Sequence, residues 1–267
     1  MPMPYTLANT EVEPIKLCVD LKVPGSKVTP ICIYDPKHVD IYVSGELANT
    51  GIWEGHLIKV VHEILIHNPA MEFMDIGCNV GVYTIAVSHW GRRVVAIDAN
   101  RRNLELLLTS LEMGKLTQNV TLLWNALSDK AETMSLRLDL AVADKNIGGS
   151  HVDGNNSTMV NNIVYAVMLD DLVGYFAKQP LFIKIDIEAS EWKALMGGKH
   201  FFKSVDIKYM LMEWMHYKTH YLHEGDLIVN FLTDRSFKPF DPQNRTIALE
   251  TKDSHTSWPV DVLWIKN

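Results

Sequence analysis

Long apolar runs are missing from this chain, and no stretch approaches the roughly eighteen consecutive apolar residues of a membrane helix. The opening Met1-Pro-Met-Pro-Tyr-Thr6 also lacks the charged and apolar regions of a signal peptide. As written the sequence reads as cytoplasmic. A chain trimmed of an upstream anchor would read the same, so a Golgi-lumen location stays open. Asn119-Val-Thr121, Asn156-Ser-Thr158 and Asn244-Arg-Thr246 fit glycosylation sequons. Cysteine is scarce: Cys18, Cys32 and Cys78 are odd in number and lack metal-ligand spacing. They imply no disulfide framework and suit a reduced environment. Positive charge is short as well, with a net charge of -7. Proteins that grip a polyanion usually carry a basic face. The compact basic pairs here, Arg92-Arg93 and Arg101-Arg102, read as solvated helix and turn ends, which argues against a nucleic-acid partner. Internal repeats and coiled-coil heptads are absent too.

What is present is a chain of 267 residues, 47% hydrophobic, long enough for one large core or a core with a small appendage. From Phe73 onward short apolar runs alternate with helix-like spacing. Met71–Ile76, Arg93–Asp98, Val120–Trp124, Leu181–Asp186 and Tyr209–Glu213 read as buried strands, continuous enough for a parallel sheet covered on both faces. Between them Val82–His89, Asn103–Met113, Ser190–Met196 and Glu224–Leu232 read as helices. The alternation predicts an α/β fold with a doubly wound, mostly parallel sheet. Phe237–Phe240 and Val260–Ile265 are expected to close it as an antiparallel pair.

Residues 1–70 differ, because prolines punctuate short β-like pieces at Ile15–Leu21, Ile31–Tyr34 and Asp40–Val43. A helix follows over Ile52–His67, its apolar face formed by Ile52, Leu57, Val60, Val61, Ile64 and Leu65. This N-terminal segment is expected to be a cap laid across the top of a core domain spanning residues 71–267. The polar stretch Asp139–Asn162 has no periodicity and reads as either mobile or a substrate lid.

The sharpest motif is Asp75-Ile-Gly77-Cys-Asn79-Val-Gly81, with Asp98 closing the next apolar run. A strand that enters a glycine turn and then a helix lets the backbone approach a ligand that any Cβ would push away. An acid at the second strand tip can accept hydrogen bonds from ribose hydroxyls. A dinucleotide fingerprint would place glycines at positions 79 and 82, where Asn79 and Val82 stand instead. The pattern resembles the S-adenosylmethionine site of class I, Rossmann-like methyltransferases, with Asp75, Gly77, Asn79, Gly81, Tyr83, Thr84 and Asp98 toward the cofactor.

The second motif, Lys184-Ile-Asp186-Ile-Glu188-Ala-Ser-Glu191, ends a buried strand in a crowd of ionisable groups. Ligands of open α/β sheets bind at the carboxyl ends of the strands, so Asp186 and Glu188 should face the pocket. Three acids so close need a positive neighbour: Lys184, a divalent metal, or the cofactor's sulfonium. Alternatively Glu188 and Glu191 only cap the following helix. The third motif is Glu213-Trp214-Met-His216 at the end of the adjacent strand. Glu213 should emerge beside Asp186, close enough for the pair to hold a hydrated divalent ion. His216, His220 and His223 follow on one loop as candidate bases, His216 nearest the pocket.

Taken in order, Asp75–Gly81, then Asn125-Ala126-Leu-Ser-Asp129, then Leu169-Asp-Asp-Leu172, then Ile183–Glu191 resemble the successive blocks of the FkbM family of S-adenosylmethionine-dependent methyltransferases. Gly51-Ile-Trp53-Glu54 is similar to the segment preceding the core in many members. One departure stands out: the family usually reads Glu-Gly followed by His, Phe or Ala, where this chain has Glu188-Ala189-Ser190. The resemblance implies O-methyl transfer to a hydroxyl on a sugar, glycan or glycosylated small molecule. It places Asn125, Ala126 and Asp129 at the adenine. By analogy with macrocin O-methyltransferases it allows a divalent metal (Mg²⁺ or Mn²⁺) on Asp186 and Glu213. Catalysis would fall to Asp186, Glu188, Glu213 and His216, and acceptor binding to Trp53, Glu54, Lys184 and Trp214. Two alternatives stay open: a methyltransferase for a non-carbohydrate acceptor, and a fold that has lost catalysis and serves as a binding module.

Overall fold

The computed structural model describes residues 17–137, 147, 150–154, 163–176, 179–251 and 255–267. The chain starts with a hairpin, β1 (Cys18–Leu21) and β2 (Thr29–Cys32), then α1 (Val43–Thr50) and α2 (Gly55–His67). The core alternates through β3 (Glu72–Ile76), α3 (Val82–His89), β4 (Val94–Asp98), α4 (Arg101–Gly114) and β5 (Val120–Trp124). Four short strands intervene, β6 (Ala126–Leu127), β7 (Glu132–Arg137), β8 (His151–Gly154) and β9 (Ile163–Val167). Next come β10 (Leu181–Ile185), α5 (Glu191–Met196), α6 (Phe201–Ser204) and β11 (Ile207–Glu213). The end of the chain forms α7 (Leu222–Thr233), β12 (Phe237–Asp241), β13 (Asn244–Ala248) and β14 (Asp261–Lys266).

The main sheet has eight strands in the order β13-β12-β14-β11-β10-β3-β4-β5. The run from β11 to β5 is parallel and β14 is antiparallel to β11. Every residue of β3, β4 and β10 is buried, the charged Glu72, Asp75, Asp98 and Lys184 included, as in strands covered on both faces. Helix α3 is buried from Val82 to Ser88 because it lies between the sheet and the N-terminal segment, which shares one core with it. Helix α4 starts at Asn100, whose side chain accepts from the Arg102 N–H at 3.0 Å and caps the first turn.

Several expectations are corrected. Asp40–Val43 is not a strand: the Asp40 carboxylate accepts from Ser44 N (2.8 Å) and Ser44 Oγ (2.7 Å), which fastens the first turn of α1. The strands near Phe237 and Val260 do pair, as β12 with β14. Their hairpin partner relation is broken by β13, which folds back on β12, and β14 inserts between β11 and β12. Cys18 and Cys32 face each other across β1 and β2 and form a disulfide, against the reading of unpaired thiols. The β1–β2 hairpin packs along α4, where Cys32 N–H donates to Ser110 Oγ at 2.8 Å. Within 139–162, β8 pairs with β7 in a second sheet of order β6-β9-β7-β8 that the sequence pattern does not reveal. The rest of that stretch, apart from residues 147 and 150, lies outside the described residues, as do positions 15 and 16 of the first expected strand and the Asn156 sequon. Among the described residues no helix is long and apolar enough to cross a membrane.

Candidate active site

An open cleft runs along the carboxyl ends of β3, β4 and β10. Asp98, at the tip of β4, is its most heavily engaged group. Asp98 Oδ2 accepts from Asn79 N–H (2.8 Å), and Oδ1 accepts from Asn100 N–H (2.7 Å) and Asn103 Nδ2 (3.1 Å). Burial pushes its carboxyl up to about 6, although these three bonds oppose the shift. Three donors leave part of the carboxylate's acceptor capacity for a ligand. Gly77 adopts φ +75°, and a Cβ there would meet the Asp186 carbonyl oxygen at 1.8 Å. The glycine is therefore needed for the approach of β3 to β10, and not only for a ligand. Gly81, at φ +93°, faces Leu107 of α4 in the same way. Asp75 lies fully buried beneath the turn and accepts from Thr84 Oγ1 at 2.6 Å. Burial raises its pKa, with Lys184 and Thr84 pulling the other way.

The other end of the cleft is acidic. Lys184 Nζ bonds Asp186 Oδ2 at 3.0 Å and sits 5.3 Å above the Tyr83 ring, while Tyr83 Oη donates to Glu54 Oε2 at 2.6 Å. Burial would lower the Lys184 ammonium, but Asp186, Asp75 and Glu54 outweigh it and hold it above its ordinary range. Burial also raises Glu54. Glu188 lines the cleft and lies 2.8 Å from His216 Nε2, with Glu213 Oε2 3.8 Å from the same nitrogen. Glu213 Oε2 is buried without a hydrogen-bond partner. Burial, then Asp186, Glu188 and Glu191, push Glu213 up to about 9. The bond to Glu188 raises His216, against the effect of burial. Burial and its acidic neighbours thus hold Glu213 toward its neutral form, beside the hydrogen-bonded Glu188–His216 pair.

Support for this end comes from behind. Glu191, nearly fully buried, accepts from Ile187 N–H at 2.8 Å and from the Tyr217 hydroxyl, and burial lifts it to about 7. The turn it braces holds Glu188 at φ +53° and Ala189 at φ +65°. These left-handed conformations cost a non-glycine residue about 1 kcal/mol or more each. Asp261, directly opposite Glu213 in the β11–β14 register, is raised to about 7 by burial and by Glu54 and Asp186.

The profile of the methyltransferase FkbM domain matches residues 75–239, from the acid of the glycine turn to β12. This chain belongs to the FkbM methyltransferase family. It is an S-adenosylmethionine-dependent methyltransferase with a class I, Rossmann-like fold. A comparison with curated proteins gives no match. Among solved structures, a proposed caffeoyl-CoA O-methyltransferase from Staphylococcus aureus is 9% identical over 84% of this chain and 88% of its own, with a TM-score of 0.45. An rRNA methylase from Streptococcus thermophilus is 13% identical, covering 80% and 99%, with a TM-score of 0.41. SMU.1697c from Streptococcus mutans, a proposed methyltransferase in complex with SAH, is 15% identical, covering 79% and 97%, also at 0.41.

In this FkbM methyltransferase the cleft is lined by Gly77, Asn79, Gly81, Tyr83, Asp98, Asn125 and Ala126 together with Trp53, Glu54, Lys184, Asp186 and Glu188. Six expected site residues, Asp75, Thr84, Asp129, Glu213, Trp214 and His216, are not among those that line the cleft. Asp129 is exposed and bonded to Ser128 Oγ at 3.2 Å, beyond the cleft wall. Trp214 is fully buried, stacked among Tyr217, Trp258 and Trp264, with Nε1 donating to the His255 carbonyl. Thr84 serves Asp75 beneath the turn. The expected metal pair also changes: the ligand atoms that lie within 4.8 Å of one another belong to Glu188, Glu213 and His216, while Asp186 is held by Lys184. Two carboxylates and an imidazole, one oxygen without a partner, fit a divalent cation. His220 and His223 are exposed and stand apart from this group.

Sequence reasoning missed Tyr34, whose hydroxyl donates to Asn103 Oδ1 at 2.7 Å and accepts from Asn100 Nδ2 at 3.4 Å, so that both neighbours of Asp98 are held. It also missed Asp261, and it did not single out Ile147, Ser150 and Val152, which wall the cleft, Val152 from β8 of the second sheet. Asn100 and Asn103 carried a local signal, as a helix cap directly after the strand-tip acid. Tyr34 carried none.

Proposed function

We propose that this FkbM methyltransferase transfers the methyl group of S-adenosylmethionine to a hydroxyl of a sugar, glycan or glycosylated small molecule. The observation that carries this reading is the Glu188–His216 pair at the mouth of the cleft, backed by Glu213. The bound cofactor supplies an activated methyl on a sulfonium. The protein's task is then to orient the acceptor oxygen in line and to take its proton late in the transfer.

In this reading Asp98 accepts from the cofactor ribose and the Asn125–Ala126 wall meets the adenine. Glu188, the member of the pair that faces the cleft, accepts the hydroxyl proton. His216 positions Glu188 and shares the charge, and Glu213 in its neutral form avoids a third negative charge on the same spot. Trp53 offers an apolar face for a sugar ring, and Glu54 and Asp186 offer acceptors for its other hydroxyls. A divalent cation on Glu188, Glu213 and His216 would acidify the acceptor hydroxyl by contact, and the base would then matter less.

Incubation with labelled S-adenosylmethionine and a panel of glycosides and free sugars is the direct test. Base-stable label on a sugar hydroxyl is the expected product. Binding of SAH with no labelled product from any hydroxyl acceptor would overturn the reading in favour of another acceptor class or a binding module. Loss of activity in chelator, restored by Mg²⁺ or Mn²⁺, supports the metal version, and full activity in chelator supports direct base catalysis.

A further inference from the structure

Two features remote from the cleft point to the same processing chemistry. The first is the Cys18–Cys32 disulfide across β1 and β2. Such bonds form and persist in oxidising compartments and are rare in a reducing cytosol. Cys78, the remaining thiol, is buried. The second is the sequon Asn244-Arg-Thr246. It opens β13 immediately after the Pro242-Gln243 turn, where Asp241 Oδ1 accepts from Gln243 N–H at 2.8 Å. Asn244 and Thr246 are both exposed, and the Thr246 hydroxyl donates to Asn244 Oδ1 at 2.7 Å, so the two side chains are already paired at the surface. By contrast Asn119 is half-buried in a 3-10 turn, and its Thr121 is paired with Val95 inside the main sheet.

We propose that Asn244 is an N-glycosylation site, modified as the chain folds in the oxidising secretory lumen that its disulfide calls for. The donor is a lipid diphosphate-linked oligosaccharide. Asn244 Nδ2 bonds to the anomeric carbon of the first sugar, the bond from that carbon to the diphosphate oxygen breaks, and the amide gives up one proton as the lipid diphosphate leaves. The position suits a glycan. β13 is the edge of the eight-stranded sheet, three strands from β11, a lateral offset of roughly 14 Å at about 4.8 Å per strand. An edge strand with exposed Ile247 also invites pairing with another chain, and a bulky hydrophilic group there blocks it.

The test is peptide mapping of the full-length chain recovered from a eukaryotic secretory pathway, with thiol alkylation before reduction and with or without peptide N-glycosidase. The expected result is an Asn244 peptide that carries a glycan, released by the enzyme with conversion of the amide to a carboxylate, and alkylation confined to Cys78. Thr246→Ser keeps the glycan, whereas Thr246→Ala and Asn244→Gln lose it completely while SAH affinity stays unchanged. An unmodified Asn244 in the secreted wild-type chain, or alkylation of all the cysteines, would overturn the proposal.

Discussion

Asp98 ties cofactor affinity to pH in a way that can be worked from its surroundings. Its carboxyl titrates at about 6 in the fold, against 3.8 when unperturbed. An acid raised in this direction stabilises the fold fully below about pH 4, and that contribution is lost as pH rises through about 6. The gap of about 2 pH units corresponds to roughly 3 kcal/mol of strain carried by the ionised, ligand-free protein at neutral pH. Ribose hydroxyls donate, so they favour the ionised form and offset part of that cost. Affinity for SAH should therefore rise with pH through this window. At pH 5 about one molecule in ten is ionised at this position, which predicts affinity about tenfold weaker than at pH 7, or about 1.4 kcal/mol. Isothermal titration with SAH between pH 5 and 8 measures it. Asp98→Asn cannot ionise, and it should bind more weakly at pH 7 with that dependence removed. An affinity that is flat over this range in the wild type, or a slope that survives unchanged in Asp98→Asn, would refute the assignment of the ribose to Asp98.

Tyr34→Phe removes the hydroxyl that holds Asn103 and Asn100, and should weaken SAH binding by about 0.5–1.5 kcal/mol with a near-normal melting temperature. Gly77→Val should lower the melting temperature as well as abolish binding, because its side chain meets the Asp186 backbone. A normal melting transition would contradict that geometry. Glu188→Gln and His216→Ala should each lower the methylation rate about 10²–10⁴-fold with SAH affinity retained. Equal loss of both rate and cofactor affinity would place these residues in the cofactor site instead. Ala189→Gly, at φ +65°, should raise stability by about 1 kcal/mol in thermal or denaturant unfolding, and a loss of stability would argue against the left-handed turn.

Much of the α/β core was legible along the chain because its information is local. Continuous apolar runs mark β3, β4, β5, β10 and β11 wherever both sheet faces are covered, and each falls within two residues of its expected bounds. Helix α3 coincides with the predicted Val82–His89. The strand–glycine turn–helix and the acid at the next strand tip were likewise readable, since Asp75, Gly77, Gly81 and Asp98 sit at positions defined by the chain's own direction. Less was readable in the antiparallel edge and the second sheet. Strands such as Ala126–Leu127 and His151–Gly154 are too short to show a period, and their pairing depends on partners distant in sequence.

By itself, then, the sequence determined the class of fold and the cofactor turn, because these follow from periodicity and from short spacings that local backbone geometry converts directly into position, while the family was legible only as a resemblance of ordered motif blocks. Tertiary structure alone decided which groups meet. It paired Cys18 with Cys32, set Asp261 opposite Glu213, put the Tyr34 hydroxyl on Asn103, buried Trp214 and gave Glu188 to His216. It also added a second reason for Gly77, room for the neighbouring strand as well as for a ligand. Each of these depends on strand register and on contacts between segments far apart in the chain, where a shift of one residue would turn a side chain to the opposite face of the sheet.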